Sequence, residues 1–149
     1  MDRRTFIAAV TAAMMAAPLA ASAQTGTTVR RIGQLWKGLP EASDDREAFA
    51  VPLRALGWVE GRNLIIERRT TERAELLDPL AQELVRLNVE IIVAWGTDAA
   101  LAAKNATTTI PIVMPVSGDP VRAGLVASLA RPGGNITGLT SLSGELPGK

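Results

Sequence analysis

The sequence predicts an α/β fold, a three-layer sandwich with a mainly parallel sheet between layers of helix. Two observations predict it. Strand-like and helix-like segments alternate along residues 29–142, as a parallel sheet requires, since each crossover between parallel strands needs a long, usually helical, connection. The strand segments are also nearly continuous apolar runs, the pattern of strands covered on both faces. With 149 residues and 47% hydrophobic content, the chain has enough apolar surface for one compact domain.

After a polar lead at residues 24–28, residues 29–36 (VRRIGQLW) read as strand one and 37–45 as a loop with Gly and Pro. Residues 46–57 place Phe49, Leu53 and Leu56 at helical spacing, with Gly57 as C-cap. Pro52 inside that segment predicts a kink or a later start. Residues 62–69 form strand two, and 73–88 an amphipathic helix with Leu76, Leu77, Leu80, Leu84 and Leu87 on one face. Strand three covers 90–95, helix three 97–107, strand four 110–116, helix four 119–130 and strand five 135–142. The segments contain no internal repeat.

Composition excludes much chemistry. The chain has no Cys and no His, which removes thiol nucleophiles, Ser-His-Asp catalysis, and imidazole or thiolate metal ligands. No metal and no cofactor are expected, and no enzymatic activity. Sixteen basic residues against fifteen acidic ones give no reason to expect a nucleic acid partner or an acidic membrane.

Residues 1–23 read as a cleavable export signal. Arg3 and Arg4 form a basic start, an apolar stretch runs from Phe6 to about Ala20, and Ala21-Ser22-Ala23 precede Gln24 as a cleavage site. The stretch is shorter than the ~20 residues a membrane-spanning helix needs. "RRTF" resembles a twin-arginine signal; an ordinary Sec signal that holds two arginines is the alternative. Cleavage after Ala23 would leave residues 24–149 as a neutral periplasmic domain, with no cysteine for a lipid anchor.

Parallel sheets of this kind bind ligands at the carboxyl ends of their strands. At that edge, Gly96 permits a tight turn into helix three, and the first-turn N–H groups beyond it suit a carboxylate or phosphate. Thr97 or Asp98 capping its own helix is the alternative reading. Ser117, Gly118 and Asp119 repeat the arrangement after strand four; Asp119 reads as an N-cap before Pro120 or as an acceptor for a ligand ammonium. Thr140 and Ser141 add hydroxyls after strand five. Trp36, at the end of strand one, offers a stacking face for a ligand or a plug for the sheet end. Trp95 reads as core or rim, and Trp58 as packing on the Gly57 turn. Arg68 and Arg69 read as a solvated strand end.

Taken together, "ALGWVEGRNLIIERR", the Gly96-Thr97 start of helix three, "TIPIVMPVSGDPV" and "GLVASLARPGGNITGLT" resemble the ABC transporter substrate-binding proteins of the tryptophan/tyrosine-binding type. The resemblance implies one lobe of a type I periplasmic-binding-protein-like fold with a flavodoxin-like sheet. It also implies a small-molecule ligand such as an amino acid, gripped between two lobes, and an ABC permease in the inner membrane as partner. Residues 24–149 would be the N-terminal lobe, with the C-terminal lobe missing if the chain is a fragment. Placed on this sequence, the site falls at Thr97 and Asp98, at Ser117, Gly118 and Asp119, and at Thr140 and Ser141, the loops that the residues themselves pick out beside Gly96 and Trp36. Two rivals come from other classes. One is an exported α/β enzyme of flavodoxin-like or hydrolase-like fold, for which no G-x-S-x-G elbow exists. The other is a sensory or interaction lobe.

Overall fold

The computed structural model describes residues 28–38 and 42–140; the export signal and Ser141 lie outside them. Five strands form one sheet: β1 (Arg30–Lys37), β2 (Leu64–Thr71), β3 (Ile91–Trp95), β4 (Ile112–Met114) and β5 (Ile136–Gly138). Their order is β2-β1-β3-β4-β5 and every pairing is parallel. The helices are α1 (Ala42–Ala55), α2 (Leu77–Arg86) and α3 (Thr97–Ala106), with a 3₁₀ turn at Ala74–Leu76 leading into α2.

Alternation of side chains along the strands divides the core in two. On one face Leu35, Ile92, Ala94, Ile112 and Met114 pack with Leu84 of α2 and the alanines of α3. Small residues at Ala99, Ala100, Ala102 and Ala103, all buried, let α3 lie close against the sheet and against α2. On the other face Ile32, Leu64 and Ile66 meet Phe49, Leu53 and Trp58 from α1 and the turn after it. Among the described residues the three predicted layers are present, with α1 alone forming one of them.

Three chain reversals use the same device. After α1, the Trp58 N–H donates to Leu53 O at 2.8 Å and the Gly57 N–H to Arg54 O at 2.9 Å, with Gly57 at φ 88. After α2, Val89 donates to Leu84 O and Asn88, at φ 54, to Val85 O. Near Pro120, Leu125 donates to Pro120 O and Gly124, at φ 70, to Val121 O. This nested pair of bonds around a left-handed residue satisfies carbonyls that a helix end leaves open.

That device corrects the fourth helix. Residues 119–130 make one turn and stop, because Gly124 adopts the left-handed conformation only five residues after the Asp119 cap. Leu125 and Val126 still reach the main core, so the segment covers the sheet without being helical. Other boundaries shift too. Helix α1 begins at Ala42 and contains Pro52, and Leu56, beyond its end, is 75% exposed instead of core-facing. Leu76 sits in the 3₁₀ turn and is exposed, while Leu77 and Leu84 are buried. Strand five ends at Gly138, four residues early. Arg68 and Arg69 are not a solvated strand end: Arg68 pairs with Glu60 through two hydrogen bonds, and Arg69 with Glu83. The Glu60 hydrogen bond raises the Arg68 pKa above its ordinary value, with burial opposing.

Candidate functional site

In a 2-1-3-4-5 sheet the chain leaves β1 toward one side and β3 toward the other, so a crevice opens between their carboxyl ends. The predicted residues that the structure describes gather at this edge in three groups.

The first group is the start of α3. Gly96 is its N-cap at φ 87, a conformation favourable to glycine, and no side chain caps the helix. The alternative in which Thr97 or Asp98 serves its own helix is therefore not what the structure adopts. Thr97 turns toward the β4 loop, where its Oγ1 accepts the Gly118 N–H at 3.4 Å. Asp98 reaches to the last residue of β1, with its Oδ2 2.6 Å from Lys37 Nζ. These side chains are 44% and 48% exposed, and pairs so solvated add little to stability. Their effect is local: the ammonium offsets the carboxylate that would repel an anion at the helix start.

The second group is a cluster of hydroxyls around Gly118. Thr140 Oγ1 donates to Gly118 O at 2.6 Å, and Ser117 Oγ to the same carbonyl at 3.2 Å. Ser117 is only 2% exposed, so it braces the loop and presents little surface to a ligand. The Gly96 N–H to Val116 O bond, 3.1 Å, fastens this loop to the start of α3. Asp119 is used locally: its Oδ1 accepts the N–H groups of Val121 and Arg122, both at 3.0 Å. It caps the Pro120 turn, as one of its two readings required. A cavity of about 130 Å³ opens beside Met114, Pro120, Thr137 and Thr140.

The third group is aromatic. Trp36 and Trp95 are register partners on β1 and β3, and their rings stack with centroids 4.6 Å apart and planes 14° from parallel. Trp36 thus packs on a neighbour at the rim, where it is half-buried.

Sequence reasoning passed over Lys37 and assigned Trp95 to core or rim. Its Gly/Pro-rich surroundings predict a loop at Lys37, whereas β1 runs through it and a strand order with β1 beside β3 brings it to the start of α3. Among the described residues no cluster of Asp and Glu could hold a metal ion, and no helix is long and apolar enough to cross a membrane.

Comparison with known proteins follows the same lines. Residues 41–144 match the family model for ABC transporter substrate binding proteins. A tyrosine-binding protein of Clostridioides difficile is 36% identical over 100 residues, which are 66% of this chain and 29% of that protein. The ligand-free, open structure of a substrate binding protein with adhesive properties from Clostridium difficile superposes with a TM-score of 0.67 at 32% identity, over 74% of this chain and 38% of that one. A conserved domain protein from Vibrio cholerae gives 0.70 at 34% identity, over 78% and 40%. An ABC domain from Streptococcus pneumoniae in complex with L-Trp gives 0.67 at 24% identity, over 76% and 39%, a likeness of fold. The chain spans 29% of the length of the curated relative.

Proposed function

The chain belongs to the ABC transporter substrate-binding protein family, and from that premise we propose that it captures an amino acid outside the inner membrane and presents it to an ABC permease. The ligand carboxylate rests on the uncapped N-terminus of α3, between Gly96 and Asp98. Thr97, Gly118 and Thr140 shape the wall beside it; Ser141, outside the described residues, is a further candidate. A cationic ligand end faces the oxygen of Asp119 that is free of the turn, and Trp36 flanks the apolar part. Residues 24–149 form one lobe, and a second lobe closes over this edge. The domain reaches the periplasm through a signal cleaved after Ala23 and performs no catalysis.

One observation carries this reading. A helix of ten residues begins at the switch point with no side-chain cap: Thr97 and Asp98 in its first turn, and Ser117 and Asp119 in the loop after β4, each bond elsewhere. Backbone N–H groups left open at a helix start favour an anion. Asp98 in the first turn is an acid that opposes it, and Lys37 pairs with that acid. The relatives that bind tyrosine and tryptophan supply the ligand class.

The test is calorimetric titration of the full-length protein with L-tyrosine, L-tryptophan and L-leucine. Lys37→Met should weaken binding about tenfold, by leaving Asp98 facing the ligand carboxylate. Adding Asp98→Asn should restore it. Asp119→Asn, which keeps the turn's acceptor and removes the charge, should weaken binding as well. Affinities within about twofold of wild type across these variants would overturn the placement.

A further inference from the structure

We propose that Trp95 is the positioning residue that makes the site select aromatic solutes, by holding the Trp36 ring as a flat platform; this rests on the solute-binding reading above. Three observations converge. Trp36 and Trp95 stack as register partners on the two strands that flank the crevice. Both belong to the α1 face of the sheet, along with Ile32 and Val93, because side chains alternate along each strand. Trp95 is also joined directly to Gly96, so its Cα lies within about 11 Å of that of Asp98, three chain steps away. An amino acid whose carboxylate sits on the first turn of α3 can therefore bring its side chain to the indole pair.

A further observation concerns the indole N–H of Trp95. Among the described residues its Nε1 is buried without a hydrogen-bond partner, and a buried donor left unpaired is a cost to the fold. Phe or Leu would fill the same rim position with no donor to desolvate. The fold carries the cost and retains a large, flat, rigid surface, which stacks better than any aliphatic chain. Trp36 pinned in this way loses little rotamer freedom when a second ring stacks on its outer face.

The experiment compares wild type, Trp95→Phe and Trp95→Leu in the full-length protein, titrated with L-tryptophan, L-tyrosine and L-leucine, with thermal unfolding of each variant as a check on folding. Trp95→Leu should lower affinity for the aromatic amino acids about tenfold and leave L-leucine within about twofold. Trp95→Phe should keep most of the aromatic preference, since it keeps a flat ring. Equal weakening of all three ligands, or an aromatic preference that survives Trp95→Leu, overturns the assignment. A wild-type protein that binds amino acids but prefers L-leucine overturns the platform and leaves the solute reading standing. A wild type that binds no amino acid overturns both.

Discussion

Gly138 closes β5 at φ 155, and a Cβ placed there would lie 2.1 Å from the carbonyl oxygen of Met114 on the neighbouring strand. No side chain can give way, because the obstacle is backbone. The next residue, Leu139, donates its N–H to that same Met114 oxygen at 2.8 Å, and Thr140 then reaches the Gly118 carbonyl. Gly138→Ala should destabilise the domain by at least about 2 kcal/mol, seen as a lower urea midpoint, and should displace Thr140 from the site. At this scale Asp119, Gly57 and Gly124 follow their residue types: a carboxylate that caps a turn, and two glycines that end one. Thr97 and Asp98 do not. Both are capable of capping a helix, and only the neighbouring loop and the end of β1 draw them away from it.

Among the elements, α2 is the clearest case of pattern becoming structure. Leu77, Ala81 and Leu84 fall at positions i, i+4 and i+7 and are the buried residues of the helix. Leu84 is completely buried and touches the space over Gly33, where a Cβ would come within 3.0 Å of its Cδ1. The glycine in β1 lets the helix settle onto the strand. Leu84→Ala should cost about 2–5 kcal/mol, against about 1–3 kcal/mol for Gly33→Ala, both measured by chemical denaturation. The fourth helix was legible only in part. Its opening, Asp119 followed by Pro120, is a valid helix start, and Gly124 within it is compatible with a helix at modest cost. What ends the turn is the pull of Leu125 and Val126 into the core, which favours the left-handed Gly124 over a further helical turn.

Across the whole molecule the two faces of the sheet are unequal. The α2–α3 face holds most of the buried apolar side chains, whereas the α1 face holds Ile32, Leu64 and Ile66 with their partners from α1 and Trp58. Beside α1 an apolar groove of about 410 Å³ runs over Ile91, Val93 and Val113. Elements with few buried contacts open first. In native-state hydrogen exchange, the amides of Phe49–Ala55 in this chain should therefore exchange faster than those of Ala81–Val85. Equal protection in both helices would mean that the domain opens as one unit.

By itself the sequence determined the class of fold, the identity and order of the strands, most of the helices, and the loops at which a ligand site can stand. Those features rest on local causes: apolar runs, helical spacing, and glycines at turns. It also carried the family, since whole phrases such as "LGWVEGRN" and "LARPGGNITG" are specific. Only the tertiary structure decided which strands are neighbours, and with that the partners of every edge residue. β1 beside β3 brings Lys37 to Asp98 over 61 residues of chain and lays Trp36 on Trp95. The loop after β4 takes up the Thr97 hydroxyl and leaves the start of α3 uncapped. The physical reason is that sequence patterns record what each residue does to its own segment. A charge, a hydroxyl or an indole at a strand end, by contrast, is satisfied by whatever the folded sheet places alongside it.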